Sequence, residues 1–172
     1  MDPPRPDQEP GSAPAASPYR TPTLWRLHLA SAMLVVPQFA MSAFALDFLV
    51  EQRHWSAAGA GQLLFCFQLL GAAGRVGSGV WSDRVGSRLR PMRTVAVAAG
   101  LTMVGVALGA AHHSAWAVVA IGVGIVVTVA DNGLGFTATA ELAGPSRAGR
   151  AMGVENTGQN LTASLTPPLL GA

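Results

Sequence analysis

The sequence contains a single cysteine, no lysine and few charged residues of either sign. Cys66 has no second cysteine to pair with, so the chain holds neither an internal disulfide nor a cysteine-based metal site. Only 12% of the 172 residues are charged and 50% are hydrophobic, whereas about a quarter of the residues of a soluble globular protein are charged. The net charge of +2 is too small to indicate a nucleic-acid-binding protein. These shortages favour a protein that lies in a lipid bilayer.

Patterns that accompany catalysis are also missing. The sequence has no phosphate-binding loop, no nucleophile elbow and no zinc-protease motif. His112 and His113 are adjacent, but two neighbouring histidines without further ligands rarely hold a metal ion. We therefore predict that the chain is not an enzyme and that it carries no cofactor or metal.

The first 22 residues differ in composition from the remainder of the chain. Seven of the twelve prolines lie there, mixed with Asp, Glu, Ser and Gly. Such a segment has too little apolar area to offset the entropy lost on ordering. We predict a disordered, Pro-rich cytoplasmic tail or linker over residues 1–22 and a helical membrane domain over residues 23–172.

Long apolar runs fill that second region. About 20 helical residues are needed to cross a bilayer core roughly 30 Å thick. Four runs are long enough, and they cover residues 27–50, 57–81, 94–111 and 115–140. A fifth run, residues 152–172, begins with polar residues and predicts either an incomplete span or an interfacial helix.

A water-soluble helical bundle is the alternative fold for such a sequence. Helices of a soluble bundle carry a charged face that repeats about every 3.6 residues. Residues 94–130 contain no Asp, Glu, Lys or Arg, so two consecutive predicted helices have no face suited to water. The prediction is an all-α, polytopic transmembrane bundle of about five spans.

Two independent patterns predict the orientation of the bundle. The loops on one side hold nearly all the arginines outside the spans, and Arg53 alone lies on the other side. By the positive-inside rule the N-terminus and the loop around Arg84 are cytoplasmic. The four tryptophans fall at predicted membrane boundaries, as in an aromatic belt: Trp25, Trp55, Trp81 and Trp116.

Three charged residues lie inside predicted spans, where an unpaired charge is costly. They are Arg75, Asp131 and Glu155. One interpretation makes Asp131 a proton-binding or substrate-binding group with Arg75 as its counter-ion. The other is a structural ion pair that keeps two helices in register. The sequence does not choose between them.

The fifth run carries polar residues at helical spacing. Asn156 and Asn160 form one stripe, with Glu155 and Gln159 beside it. Such a stripe faces either a polar cavity or a neighbouring helix. Small residues are frequent as well, and Gly105 and Gly109 form a G-x-x-x-G pattern that favours close helix packing.

The loop between the second and third predicted spans is the most specific motif of the chain. Residues 79–90 fit the pattern G-x-x-x-D-R-x-G-x-R-x-R at every fixed position, which are Gly79, Asp83, Arg84, Gly86, Arg88 and Arg90. This resembles the signature loop of the major facilitator superfamily. Gly86 permits a tight reversal between helices, and the arginines suit an anionic cytoplasmic surface.

The resemblance extends along most of the chain. Residues 145–153 are similar to the cytoplasmic turn before the fifth helix of a C-terminal half, so residues 23–172 resemble about helices 7–11 of a twelve-helix carrier. This implies alternating access in the plasma membrane, with Asp83 and the loop arginines in a cytoplasmic latch. It also implies a small solute as ligand. The solute and the coupling ion, H⁺ or another, are left open.

Two functions remain compatible with the sequence. The chain is part of a secondary transporter that the missing half or a second copy completes, or it is a truncated, non-transporting membrane protein or interaction subunit. The signature loop and the charges within the spans favour the first, and the small number of spans favours the second.

Overall fold

The structure is a computed structural model that describes residues 17–171, and the predicted disorder of residues 1–16 lies outside that range. A 3₁₀ helix, Pro18–Arg20, precedes the first long helix. The α-helices are α1 (Pro22–Asp47), α2 (Ala57–Val85), α3 (Leu89–Ala111), α4 (Trp116–Val129), α5 (Asn132–Ala143) and α6 (Ala148–Leu170). A π-helical turn, Phe48–Gln52, extends α1. The first long helix, α1, begins at Pro22, next to the predicted boundary at residue 23.

Within residues 17–171, four helical stretches are long and apolar enough to cross a membrane. They are Pro22–Gln52, Ala57–Val85, Leu89–Ala111 and Trp116–Ala143. The all-helical membrane fold predicted from the sequence is therefore confirmed. α6 has 23 residues, about 35 Å of helix, but its composition is more polar than that of these four stretches.

Local sequence explains where the helices end. Ser56 precedes α2, and its hydroxyl accepts a hydrogen bond from the Gly59 amide at 3.1 Å. Gly86 ends α2 in the left-handed conformation, with φ of 61°, which a glycine adopts without steric cost. The fourth predicted span contains a break at Ala130–Asp131, which separates α4 from α5.

α4 lies at the centre of the bundle. It packs against α1, α2 and α3, while α6 packs against α1 and α5. In the stretch Trp116–Ala143, 61% of the most apolar window is buried, against 11% in α2 and 17% in α3. α2 and α3 therefore present most of their apolar surface outward, as helices in contact with lipid do.

The loops gather at two ends of the bundle. At one end, Arg88 between α2 and α3 contacts Glu141 near the end of α5. At the other end, Arg53 after the π-helical turn contacts the α3–α4 turn at His113 and Ser114. Successive loops therefore lie at alternate ends of the bundle, as in a chain that crosses a membrane several times. This arrangement places the arginine-rich loops at the same end.

Candidate functional site

The signature loop folds into a compact polar network at one end of the bundle. Arg88 donates from Nε to Glu141 Oε1 at 3.0 Å and from Nη1 to Ser82 Oγ at 3.0 Å. Nη1 also forms an ion pair with Asp83. Ser82 in turn donates to the backbone oxygen of Ser87 at 3.1 Å. One guanidinium thus joins the end of α2, the loop and α5.

Electrostatics favour the charged form of this arginine. The hydrogen bond with Asp83, and then that with Glu141, raise the pKa of Arg88 above its ordinary value. The carboxylates of Asp83 and Glu141 are exposed to solvent, so the network contributes little to the stability of the fold. A solvent-exposed ion-pair network of this kind is suited to a contact that forms in one conformation and breaks in another.

The other predicted loop residues have different surroundings. Arg84 and Arg90 are exposed, and a Cβ added at Gly79 would have nothing within 4 Å. Gly86 occupies the positive-φ position of the turn. The sequence interpretation missed Ser82 and Glu141. Glu141 had a usable signal, because it is an acidic residue close to the end of the fourth predicted span on the same side as the loop.

An open cavity of about 420 Å³, lined by both polar and apolar side chains, lies between α1, α2, α5 and α6. Its lining includes four of the residues singled out in the sequence, which are Arg75, Asn156, Gln159 and Asn160. Asn160 Nδ2 donates to the Asn156 backbone oxygen at 2.8 Å and to its Oδ1 at 3.1 Å. The stripe on α6 therefore faces a cavity, one of the two alternatives that the sequence left open.

The break between α4 and α5 is tied to the walls of this cavity. Asn132 Nδ2 donates to Gln38 Oε1 of α1 at 3.2 Å. Ser78 of α2 donates to the Ala130 backbone oxygen at 2.6 Å. These bonds satisfy backbone and side-chain groups that a break at membrane depth would otherwise leave without partners. Gln38 and Asn132 both line the cavity, and sequence reasoning had not singled out Gln38.

The two acidic residues inside the bundle do not line the cavity. Asp131 is 3% exposed and Glu155 is 1% exposed. Within residues 17–171, Arg75 forms no ion pair with either of them. Glu155 instead faces His28 of α1, with Nδ1 and Oε2 4.0 Å apart. Glu155 and Asn156 point about 100° apart on α6, and the Glu155 carboxyl lies against α1 and α5.

The family follows from a comparison with known proteins. The family model described as Major Facilitator Superfamily matches residues 1–167. The chain belongs to the major facilitator superfamily. The resemblance drawn from the loop between α2 and α3 is thereby confirmed, and the chain is part of a multi-pass membrane protein family of transporters.

Two relatives from Mycobacterium tuberculosis align with the whole chain. An uncharacterized MFS-type transporter of strain ATCC 25618 / H37Rv is 46% identical over 174 residues. One of strain CDC 1551 / Oshkosh is 45% identical over the same length. The chain spans 39% of the length of each of these relatives. No solved structure gives a significant match.

Proposed function

We propose that this chain forms about five helices of a secondary transporter that moves a small solute across the plasma membrane by alternating access. Membership in the superfamily supports the transporter class. The observation that carries the proposal is the convergence of Arg75 with the polar stripe of α6 on one cavity. An arginine inside a membrane is costly unless it meets water, a ligand or a partner.

The cavity has the size and chemistry of a small-solute site. Its volume of about 420 Å³ lies within the range of small-molecule pockets, roughly 300–1,000 Å³. Arg75 supplies a positive charge, while Asn156, Gln159 and Asn160 supply both donors and acceptors. Solutes with an anionic or strongly hydrogen-bonding group fit this set best.

The network around Arg88 acts as the cytoplasmic latch of the proposed carrier. It links α2, the signature loop and α5 through charged side chains that lie at the surface. In the assembled carrier these charges bias one conformation over the other. The arginine-rich end is cytoplasmic in this proposal, because positive residues collect on that side of a membrane.

The chain corresponds in this proposal to about helices 7–11, and the remaining helices complete the solute site. The similarity of residues 145–153 to the turn before the fifth helix of a C-terminal half supports this placement. Sequencing the coding DNA on both sides of the reading frame tests it, since in-frame spans upstream place the chain in the second half.

Water accessibility tests the cavity without knowledge of the solute. Cys66 is first replaced by Ser, and a single cysteine is then placed at Asn160, which lines the cavity, or at Leu161, which is 60% exposed on the outer surface. In liposomes, a charged thiol reagent is expected to label the cysteine at residue 160 and to leave that at residue 161 unmodified. Equal labelling at the two positions contradicts a water-filled cavity.

A further inference from the structure

Arg75 of α2 is a cation without a partner in the wall of the cavity. It is exposed, and within residues 17–171 its guanidinium forms no ion pair and donates no hydrogen bond to another residue. Asp131 interacts with it electrostatically, but Asp131 is 3% exposed and does not line the cavity. A guanidinium carries five donors and stays charged in proteins. The charge and the donors of Arg75 are therefore available to a molecule that enters the cavity.

The amide groups that share the cavity with Arg75 also present donors. Gln38 Oε1 accepts a hydrogen bond from Asn132 Nδ2 at 3.2 Å, and Asn156 Oδ1 accepts one from Asn160 Nδ2 at 3.1 Å. Because these bonds use the side-chain oxygens of Gln38 and Asn156, the NH₂ groups of both residues are left to bind another acceptor. Among the residues that the structure describes, no carboxylate lines the cavity.

This combination of groups selects the charge of a bound solute. An organic cation would meet the charge of Arg75 with no carboxylate to hold it, and like charges repel strongly where the dielectric constant is low. A neutral solute would leave the guanidinium unpaired at membrane depth, which is costly. A carboxylate accepts two parallel hydrogen bonds from a guanidinium and balances its charge. One arginine in the described lining thus fits one negative charge.

Aromatic and aliphatic side chains provide the remaining surface of the cavity. Phe39 of α1 and Phe136 of α5 line it, together with Val35 and Ala163. Phe39 is 37% exposed, so part of its ring is free to contact a solute. Burial of apolar surface against these side chains favours a solute that carries an apolar group as well as its charge.

We propose that the cavity binds small organic monoanions, whose carboxylate pairs with Arg75 and whose apolar group packs against Phe39 and Phe136. The NH₂ groups of Gln38 and Asn156 donate to the same carboxylate or to polar groups next to it. This deepens the proposed function by naming a class of solute, and transport of these anions rests on that function. Binding at Arg75 is measurable without transport.

Protection of a cysteine in the cavity wall tests the charge of the solute. Cys66 is replaced by Ser and Gly133 by Cys, because Gly133 lines the cavity and a Cβ there would meet nothing within 4 Å. The rate of labelling by a charged thiol reagent is measured on the full chain in liposomes, with and without benzoate, benzamide or benzylammonium. These probes share a ring and differ in charge. Benzoate at about 10 mM, which saturates a site of millimolar affinity, is expected to slow labelling about fivefold or more. The neutral and cationic probes are expected to leave the rate unchanged.

Substitutions in the same protein separate the charged contact from the apolar one. Arg75→Gln is expected to abolish protection by benzoate, and Arg75→Lys, which keeps the charge without the paired donors, is expected to retain part of it. Arg93→Gln is the matched control, because Arg93 lies outside the lining of this cavity. Phe39→Ala is expected to raise the benzoate concentration for half-protection about fivefold. Phe65→Ala, which alters an exposed ring outside the cavity, is expected to leave it unchanged.

Equal protection by the three probes, or protection by benzoate that persists in Arg75→Gln, overturns the proposed solute class. Free labelling of the cysteine at residue 133 that no probe slows also overturns it, but leaves a water-filled cavity and the proposed transport function standing. A cysteine at residue 133 that the reagent does not label at all contradicts both proposals. The failure of the solute class is thus distinguishable from the failure of the proposed function.

Discussion

At the scale of single residues, glycines set how closely the helices approach. The G-x-x-x-G pattern of α3 predicts a close crossing, but its two members differ in their surroundings. A Cβ at Gly109 would lie 2.7 Å from the Ala117 backbone nitrogen, whereas one at Gly105 would be in ordinary contact with Ala120 at 3.5 Å. The close approach of α3 to α4 therefore depends on Gly109.

Gly109→Ala should weaken the bundle, because the added methyl group meets backbone atoms of α4 that cannot rotate away. We expect the free energy of unfolding to fall by about 1–3 kcal/mol. Gly100→Ala on the same helix is the control, since nothing lies within 4 Å of its added Cβ. Denaturation in SDS followed by circular dichroism measures both, and equal stability of the two variants would refute the packing argument.

At the scale of elements, two breaks in helical structure are held by specific polar contacts. The α4–α5 break is bonded to α1 and α2 through Asn132 and Ser78. The turn between α3 and α4 is held by Arg53, which donates to the backbone oxygens of His113 and Ser114. The Arg53 guanidinium thus connects the end of α1 by hydrogen bonds to a turn about 60 residues away in sequence.

Arg53→Gln should loosen the α3–α4 turn. Because the guanidinium donates to two carbonyl groups, its loss is expected to lower the free energy of local opening by about 1 kcal/mol. Amide hydrogen exchange at Ser114, whose amide donates to the Gly109 oxygen, should accelerate accordingly. Arg20→Gln, at the opposite end, should leave this amide unaffected; acceleration in both variants would point to a general loss of stability.

At the scale of the whole molecule, the signature loop and the cavity lie in one helical framework. α2 contributes Arg75 to the cavity and Asp83 to the proposed latch. α5 contributes Asn132 to the cavity and Glu141 to the latch. A relative movement of α2 and α5 therefore affects both sites. In the proposed carrier, this shared framework would let the ion pair at the end of the bundle influence how accessible the cavity is.

Breaking the proposed latch in the complete carrier should change that exposure. In a protein with a single cysteine at residue 160, Asp83→Asn or Glu141→Gln is expected to alter labelling from the cytoplasmic side by about two- to fivefold. Both substitutions remove a carboxylate partner of Arg88. Glu51→Gln serves as the control, and identical labelling in all variants would exclude a latch role.

The sequence predicted the fold well because the signals were local. Span positions follow from apolar runs, and each of the four membrane stretches overlaps its predicted range. The break at Ala130–Asp131 was not predicted, because the apolar residues on both sides of it were interpreted as one span although Asp131, Asn132 and Gly133 interrupt them. Tertiary contacts from Ser78 and Gln38 stabilise the break, and the sequence around the break does not identify these partners.

The candidate site was predicted less completely, for a geometric reason. Helical spacing placed Asn156 and Asn160 on one face, and the structure brings them to the cavity with Arg75. Spacing alone did not identify His28 as the neighbour of Glu155, because the two residues lie on helices far apart in the chain. The pairing of Glu141 with Arg88 was missed for the same reason, although the position of Glu141 near the end of the fourth predicted span was a usable signal.

The sequence by itself determined the membrane class, the approximate spans and the family, because hydropathy, charge bias and a loop motif are properties of contiguous residues. Tertiary structure decided which polar side chains share a cavity and which are buried away from it. Arg75, Asp131 and Glu155 look alike in the sequence as charges within spans. Only the rotation and packing of their helices place Arg75 at the cavity, Asp131 at a break and Glu155 against His28.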